Sequence, residues 1–160
     1  MASLVLLAAC APSQAPQPAA PCDRECLVNL MQRYLSALAA HDPKSVPFAG
    51  NVKFVENTAQ IPVGEGLWIT ASGGPGTFQI YAADPVTQQV ACIVTMKETN
   101  KDVLLGARLK LADGRITEAE HLVIRDDLSR QTANLQSPRP ALVADLEPSE
   151  RTPREEMLKA

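Results

Sequence analysis

Six side chains in this sequence combine a reactive type with a placing that could use it: Tyr34, Asn57, Trp68, Arg108, Glu118 and His121. His121 is the acid–base candidate, because an imidazole changes charge near neutral pH, and Tyr34 is the companion that could donate or hold a proton. A carboxylate such as Glu118 or Glu120 could orient His121, yet strict alternation along a strand puts both on the opposite face. By that alternation Ile116, Glu118, Glu120 and Leu122 share one face, while Thr117, Ala119, His121 and Val123 share the other. The period does not say which face is inside, and a bulge would change the answer. Trp68 is either a ligand-binding wall or a core plug, and Tyr34 fits a helix–sheet core as well as a pocket. Arg108 and Lys110 alternate with Leu109 and Leu111, the pattern of a sheet with one wet face, while Arg108 is also a candidate ligand contact. His41 is placed to end a helix, its ring near the last carbonyls.

Other chemistry is missing from the sequence. It has no Gly-rich phosphate loop and no nucleophile elbow, so no cofactor or covalent mechanism is expected. Cys22 and Cys26 are spaced for a disulfide at the first turn of a helix. A zinc site would need a second pair at matching spacing, which is absent, so no metal is expected. Cys92, inside Val90-Ala91-Cys92-Ile93-Val94, reads as a small buried apolar residue. A formal charge of −3 over 160 residues leaves no basic footprint for nucleic acid.

The elements that must position these residues follow from periodicity. Leu27, Leu30, Met31, Tyr34, Leu35 and Leu38 recur at three and four, giving an amphipathic helix from Asp23 to Ala40 that His41-Asp42-Pro43 ends. Val52 and Phe54 alternate as in a strand through Asn57. Gly64 to Ser72 makes a short helix carrying Leu67 and Trp68, broken by Gly73-Gly74-Pro75-Gly76. Strands follow over Thr77–Ala83, Gln89–Lys97, Val103–Leu111 and Arg115–Arg125, the last two joined by an Asp113-Gly114 hairpin turn. The fold class is therefore α+β, with the N-terminal helix packed on a curved antiparallel sheet.

Outside residues 23–125 the chain reads differently. Residues 1–10 form an apolar run ending Leu7-Ala8-Ala9-Cys10, similar to a bacterial lipoprotein signal, with Cys10 as the lipidated residue. Residues 11–22 are a Pro-rich tether that would lift the domain off a membrane, and the signal implies a domain held by lipid in the periplasm or at the cell surface. Residues 126–160 read as an extended tail. In that tail Thr152-Pro153-Arg154-Glu155 carries the signals of a helix start, and Arg154 to Leu158 looks like Arg24 to Val28, as the opening of a second copy of the domain would.

Gln32-Arg33-Tyr34 with Ala37-Leu38, then His41-Asp42-Pro43, Phe54-Val55-Glu56-Asn57 and Gly114-Arg115-Ile116, resemble in order and spacing the nuclear transport factor 2-like superfamily, in its SnoaL-like and ketosteroid isomerase-like branches. The resemblance implies a cone around an apolar pocket and a homodimer. Its implied occupant is a small apolar molecule, either held unchanged or converted by a cofactor-independent lyase, isomerase or hydrolase. Tyr34 matches the tyrosine that binds a substrate oxyanion in the isomerase branch. Asn57 stands where that branch has its general-base aspartate, and Ala107 falls near its protonated aspartate, which disfavours steroid-type isomerisation. Glu56, next to Asn57, is expected on the outer face of its strand.

Overall fold

The computed structural model describes residues 20–128, 130 and 133–159; Cys10 and most of the tether lie outside the described residues. Helix α1 spans Arg24–Ala39 and begins at Asp23, whose carboxylate accepts a hydrogen bond from the Cys26 N–H. Its apolar stripe Leu27, Leu30, Met31, Tyr34, Leu35 and Leu38 is buried against the sheet. The helix stops where His41 enters the left-handed region at φ 55° and donates its N–H to the Leu38 carbonyl.

The strands are β1 (Phe48–Glu56), β2 (Ala59–Gln60), β3 (Ala71–Gly73), β4 (Gln79–Asp84), β5 (Gln89–Glu98), β6 (Lys101–Ala112) and β7 (Arg115–Ile124), with α2 (Leu67–Thr70) before β3. They form one sheet in the order β2-β1-β7-β6-β5-β3, with β4 also paired to β5. All pairs are antiparallel except β1 with β7. That parallel pair refines the expected arrangement, and the long path through α2 and the meander between the two strands permits it. Two-residue turns with positive φ join several strands: Asn57-Thr58, Thr99-Asn100 and the expected Asp113-Gly114.

A bulge in β7 settles which residues face inward. Leu111 pairs with Ile116 but Lys110 pairs with Glu118, so Thr117 is the extra residue and the alternation changes phase there. Ile116, Ala119, His121 and Val123 are all buried as a result, and Glu118 and Glu120 turn outward. On β1 the inward residues are Phe54 and Glu56. Glu56 was expected outside, from its position next to Asn57; it shares Phe54's face, two residues on, because Asn57 has already left the strand at φ 45°.

After β7 the tail is not extended throughout. It makes short turns of helix, α3 (Pro140–Val143) and α4 (Arg154–Met157), with a 3₁₀ turn at Pro148–Glu150 between them. The helix read at the Thr152-Pro153 signal forms one residue later, with Pro153 as its cap and no side-chain capping bond. Arg154 pairs with Asp84 at the end of β4.

Candidate functional site

The concave face of the sheet, α1 and α2 meet over a cluster of buried rings. Tyr34 projects from the middle of α1, His121 from β7, Phe54 from β1 and Trp68 from α2, each no more than 1% exposed. Trp68 stands edge-on to Tyr34 with ring centres 5.4 Å apart, and Phe54 stands edge-on to His121 at 4.9 Å.

Within this apolar setting runs a chain of polar groups from the interior to the surface. The Tyr34 hydroxyl is hydrogen-bonded to His121 Nε2 at 2.8 Å. His121 Nδ1 lies 3.5 Å from Glu56 Oε2, an ion-pair separation without hydrogen-bond geometry. The other carboxylate oxygen, Oε1, accepts from Arg125 at 2.8 Å, and Arg125 Nε donates to Glu98 at 2.6 Å. A carboxylate facing Nδ1 favours the proton on that nitrogen, so the neutral ring accepts the Tyr34 proton at Nε2.

The electrostatics follow from these partners. Burial works to raise the Glu56 pKa, but His121, Arg125 and the Leu67 N–H together outweigh it and hold the carboxyl down at about 2. Burial pushes the Tyr34 phenol far above its ordinary range, against a smaller opposing effect of the Trp68 N–H beside it. Arg125 is held more firmly protonated by Glu98 and then Glu56. Among the described residues neither the Trp68 indole N–H, close to Tyr34 as it is, nor the His121 Nδ1 has a hydrogen-bond partner. Both are buried polar atoms of the kind that proteins rarely leave unpaired.

Glu56 also fixes α2. Its Oε2 accepts from the Leu67 N–H at 2.9 Å, and the chain reaches it through Gly66 at φ 62° and ψ −129°, a conformation open to glycine alone. A Cβ on Gly66 would lie 2.6 Å from that same oxygen. From the other side the His41 ring donates to the Trp68 carbonyl at 2.6 Å. The His41 ring thus steadies α2, while its main chain ends α1.

Tyr34, Trp68 and His121 are therefore brought together. Asn57 is not among them: its side-chain amide donates to the Val123 carbonyl and accepts from the Val123 N–H, replacing a strand neighbour where the β1–β7 ladder ends. Arg108 stands on the convex face, bonded to Glu118, Glu120 and Gln89. Glu118 and Glu120, weighed as partners of His121, serve Arg108 instead. The residue that sequence reasoning missed is Glu56, and the signal was available, since it sits two residues after the apolar Phe54.

Cys22 and Cys26 are joined by a disulfide at the start of α1. The Gln88 side chain clamps that entry, accepting from the Cys22 N–H and donating to its carbonyl. Cys92 is a buried free thiol whose pKa burial pushes up to about 12, which keeps it protonated and inert. A surface cavity of about 650 Å³ opens elsewhere, between the first turn of α1, Gln79 and Tyr81 of β4, and Leu142 to Asp145 of the tail.

No protein-family model matches the chain, and no curated protein is similar to it in sequence. Solved structures do share its shape. A de novo designed protein with a curved β-sheet is similar over 71% of this chain and 97% of its own, at 11% identity and a TM-score of 0.50. An NTF2-like protein of unknown function from Cytophaga hutchinsonii ATCC 33406 covers 66% of this chain and 94% of its own, at 12% identity and TM-score 0.48. A protein assigned as a SnoaL-like polyketide cyclase, from Shewanella putrefaciens CN-32, covers 67% and 96%, at 18% identity and TM-score 0.48. At 11% identity the likeness to the designed protein is one of fold alone.

Proposed function

We propose that this domain binds a small, largely apolar molecule bearing one oxygen, in the interior between α1 and the sheet that Trp68 now fills. The observation that carries the reading is Trp68 itself, which fills the interior beside the Tyr34 hydroxyl with its own buried indole N–H unpartnered among the described residues. An apolar site with a few convergent polar groups is the usual make-up of a small-molecule pocket. Access requires α2 to swing outward. That motion breaks the Leu67–Glu56 and Trp68–His41 hydrogen bonds and turns on Gly64 and Gly66, both at positive φ. The isomerase-like resemblance, in which a tyrosine meets substrate oxygen, supports Tyr34 as the reader of the ligand's oxygen.

A second reading is favoured by the carboxylate–imidazole–phenol order of Glu56, His121 and Tyr34. This is the arrangement by which a base is oriented and a hydroxyl proton moved. In that reading the domain is a cofactor-independent lyase, isomerase or hydrolase acting on an aromatic or terpenoid-like substrate. Native mass spectrometry after incubation with mixed aromatic and terpenoid compounds separates the two. A ligand retained at unchanged mass supports the binder, and a changed mass that reverts in Tyr34→Phe supports the enzyme. No retained compound at any concentration refutes both.

Lipidation at Cys10 and residence in the periplasm or at the cell surface belong to the same proposal, supported by the run Met1 to Cys10 and the Cys22–Cys26 disulfide. A mature N-terminus found at another residue, without lipid mass, refutes that part. A homodimer is proposed from the resemblance, and light scattering at monomer mass removes it.

A further inference from the structure

The interior chain fixes not only where Tyr34 stands but which way its hydroxyl can point. We infer that Glu56 is a positioning residue that makes binding of an oxygen acceptor, such as a neutral ketone, depend on a proton taken up at His121. This rests on the interior-site reading above.

With His121 neutral and its proton on Nδ1 facing Glu56, Nε2 is an acceptor, and the one proton of the Tyr34 hydroxyl is committed to it at 2.8 Å. In that state Tyr34 offers a ligand only lone pairs, and the Trp68 indole N–H leaves with α2 when the interior opens. When a proton from solvent adds to Nε2, the bond reverses. Nε2–H now donates to the phenolic oxygen, and the Tyr34 proton is released to turn toward a carbonyl oxygen. No covalent bond other than N–H forms or breaks, and the proton count rises by one.

Glu56 makes the protonated ring tolerable in an apolar interior. The charged groups around His121 are Glu56 on β1, Arg125 just past β7 and Glu98 at the end of β5; Tyr34 on α1 and the Cys92 thiol on β5 stay neutral. Two carboxylates against one guanidinium leave the cluster one negative charge in excess, which an imidazolium cancels. A neutral acceptor therefore fits this state better than an anion, which would restore the excess.

The test uses the single tryptophan of the chain. Its indole N–H gives one resonance in a ¹⁵N-labelled sample, and titrating that resonance with acetophenone and with its hydrocarbon counterpart ethylbenzene yields both dissociation constants across pH 5 to 9. The inference expects acetophenone affinity to fall about tenfold per pH unit on the alkaline side while ethylbenzene affinity stays flat. It expects Glu56→Gln, which keeps an oxygen for the Leu67 N–H but loses the charge, to move the fall to lower pH. Tyr34→Phe, a variant that does not touch the α2 attachment, should reduce acetophenone to the affinity of ethylbenzene. If both compounds shift the indole with the same pH dependence, the inference is overturned while the interior site stands. If neither shifts it, the interior-site reading fails and takes the inference with it.

Discussion

Replacing Glu56 by Gln isolates the buried carboxylate, and its consequence is largest in acid. The carboxyl is held at about 2 against an ordinary value of 4.5. At roughly 1.36 kcal/mol per unit, a depression of this size stabilises the folded state by about 3 kcal/mol at neutral pH. Because the folded pKa is the lower one, this stability is present above 4.5 and is lost as pH falls toward 2. About 1.4 kcal/mol of it should be gone by pH 3.5, where an unfolded glutamate is mostly protonated and the folded one is not. Urea unfolding followed by Trp68 emission at pH 7, 5, 4 and 3.5 measures it, since Trp68 is the sole tryptophan and sits on α2, which Glu56 anchors. Glu98 and Glu118 are also held below their usual range, so acid weakens both proteins; the wild type should simply lose more than Glu56→Gln. Parallel stability curves for the two proteins between pH 5 and 3.5 would refute the placing of Glu56 in the interior chain.

Gly66→Ala should cost about 3 kcal/mol in chemical denaturation, from a conformation closed to alanine and a Cβ pressed on the Glu56 carboxylate; Gly50→Ala, with open space around it, should stay within about 0.5 kcal/mol. Tyr34→Phe should destabilise by about 1–3 kcal/mol, because it leaves His121 Nε2 buried without a partner, and a thermal melt matching wild type would contradict the 2.8 Å bond. Asn57→Ala should lose about 1–2 kcal/mol by unpairing both main-chain groups of Val123, measurable as faster amide exchange at Val123. Arg108→Ala, on the convex face among half-exposed carboxylates, should change stability by less than about 1 kcal/mol and leave the Trp68 signal untouched.

The α1 stripe, the Asp113-Gly114 turn and the strand order of the meander were legible because each rests on local period or local turn chemistry. The inward side of β7 was not, since it depends on the extra residue at Thr117, and a bulge arises from pairing with β6 rather than from the strand's own pattern. The parallel β1–β7 pair is likewise a matter of long-range return, invisible to periodicity. Tyr34 and His121 could be nominated separately by type, but their contact joins residues 87 apart in sequence. Glu56 was hidden by giving Asn57 the alternation that ended one residue earlier. Arg108 illustrates the converse: a charged residue at a plausible place whose partners turn out to be its cross-strand neighbours.

The most direct measurement on the central claim is the ¹⁵N–¹H resonance of the Trp68 indole, recorded while a mixture of small aromatic ketones and terpenoids is added to the chain. At least one compound should shift or broaden this signal together with those of Tyr34 and His121. Shifts confined to Tyr81, Leu142 and Val143, at the surface cavity beside α1, with the indole unmoved at saturation, would contradict it.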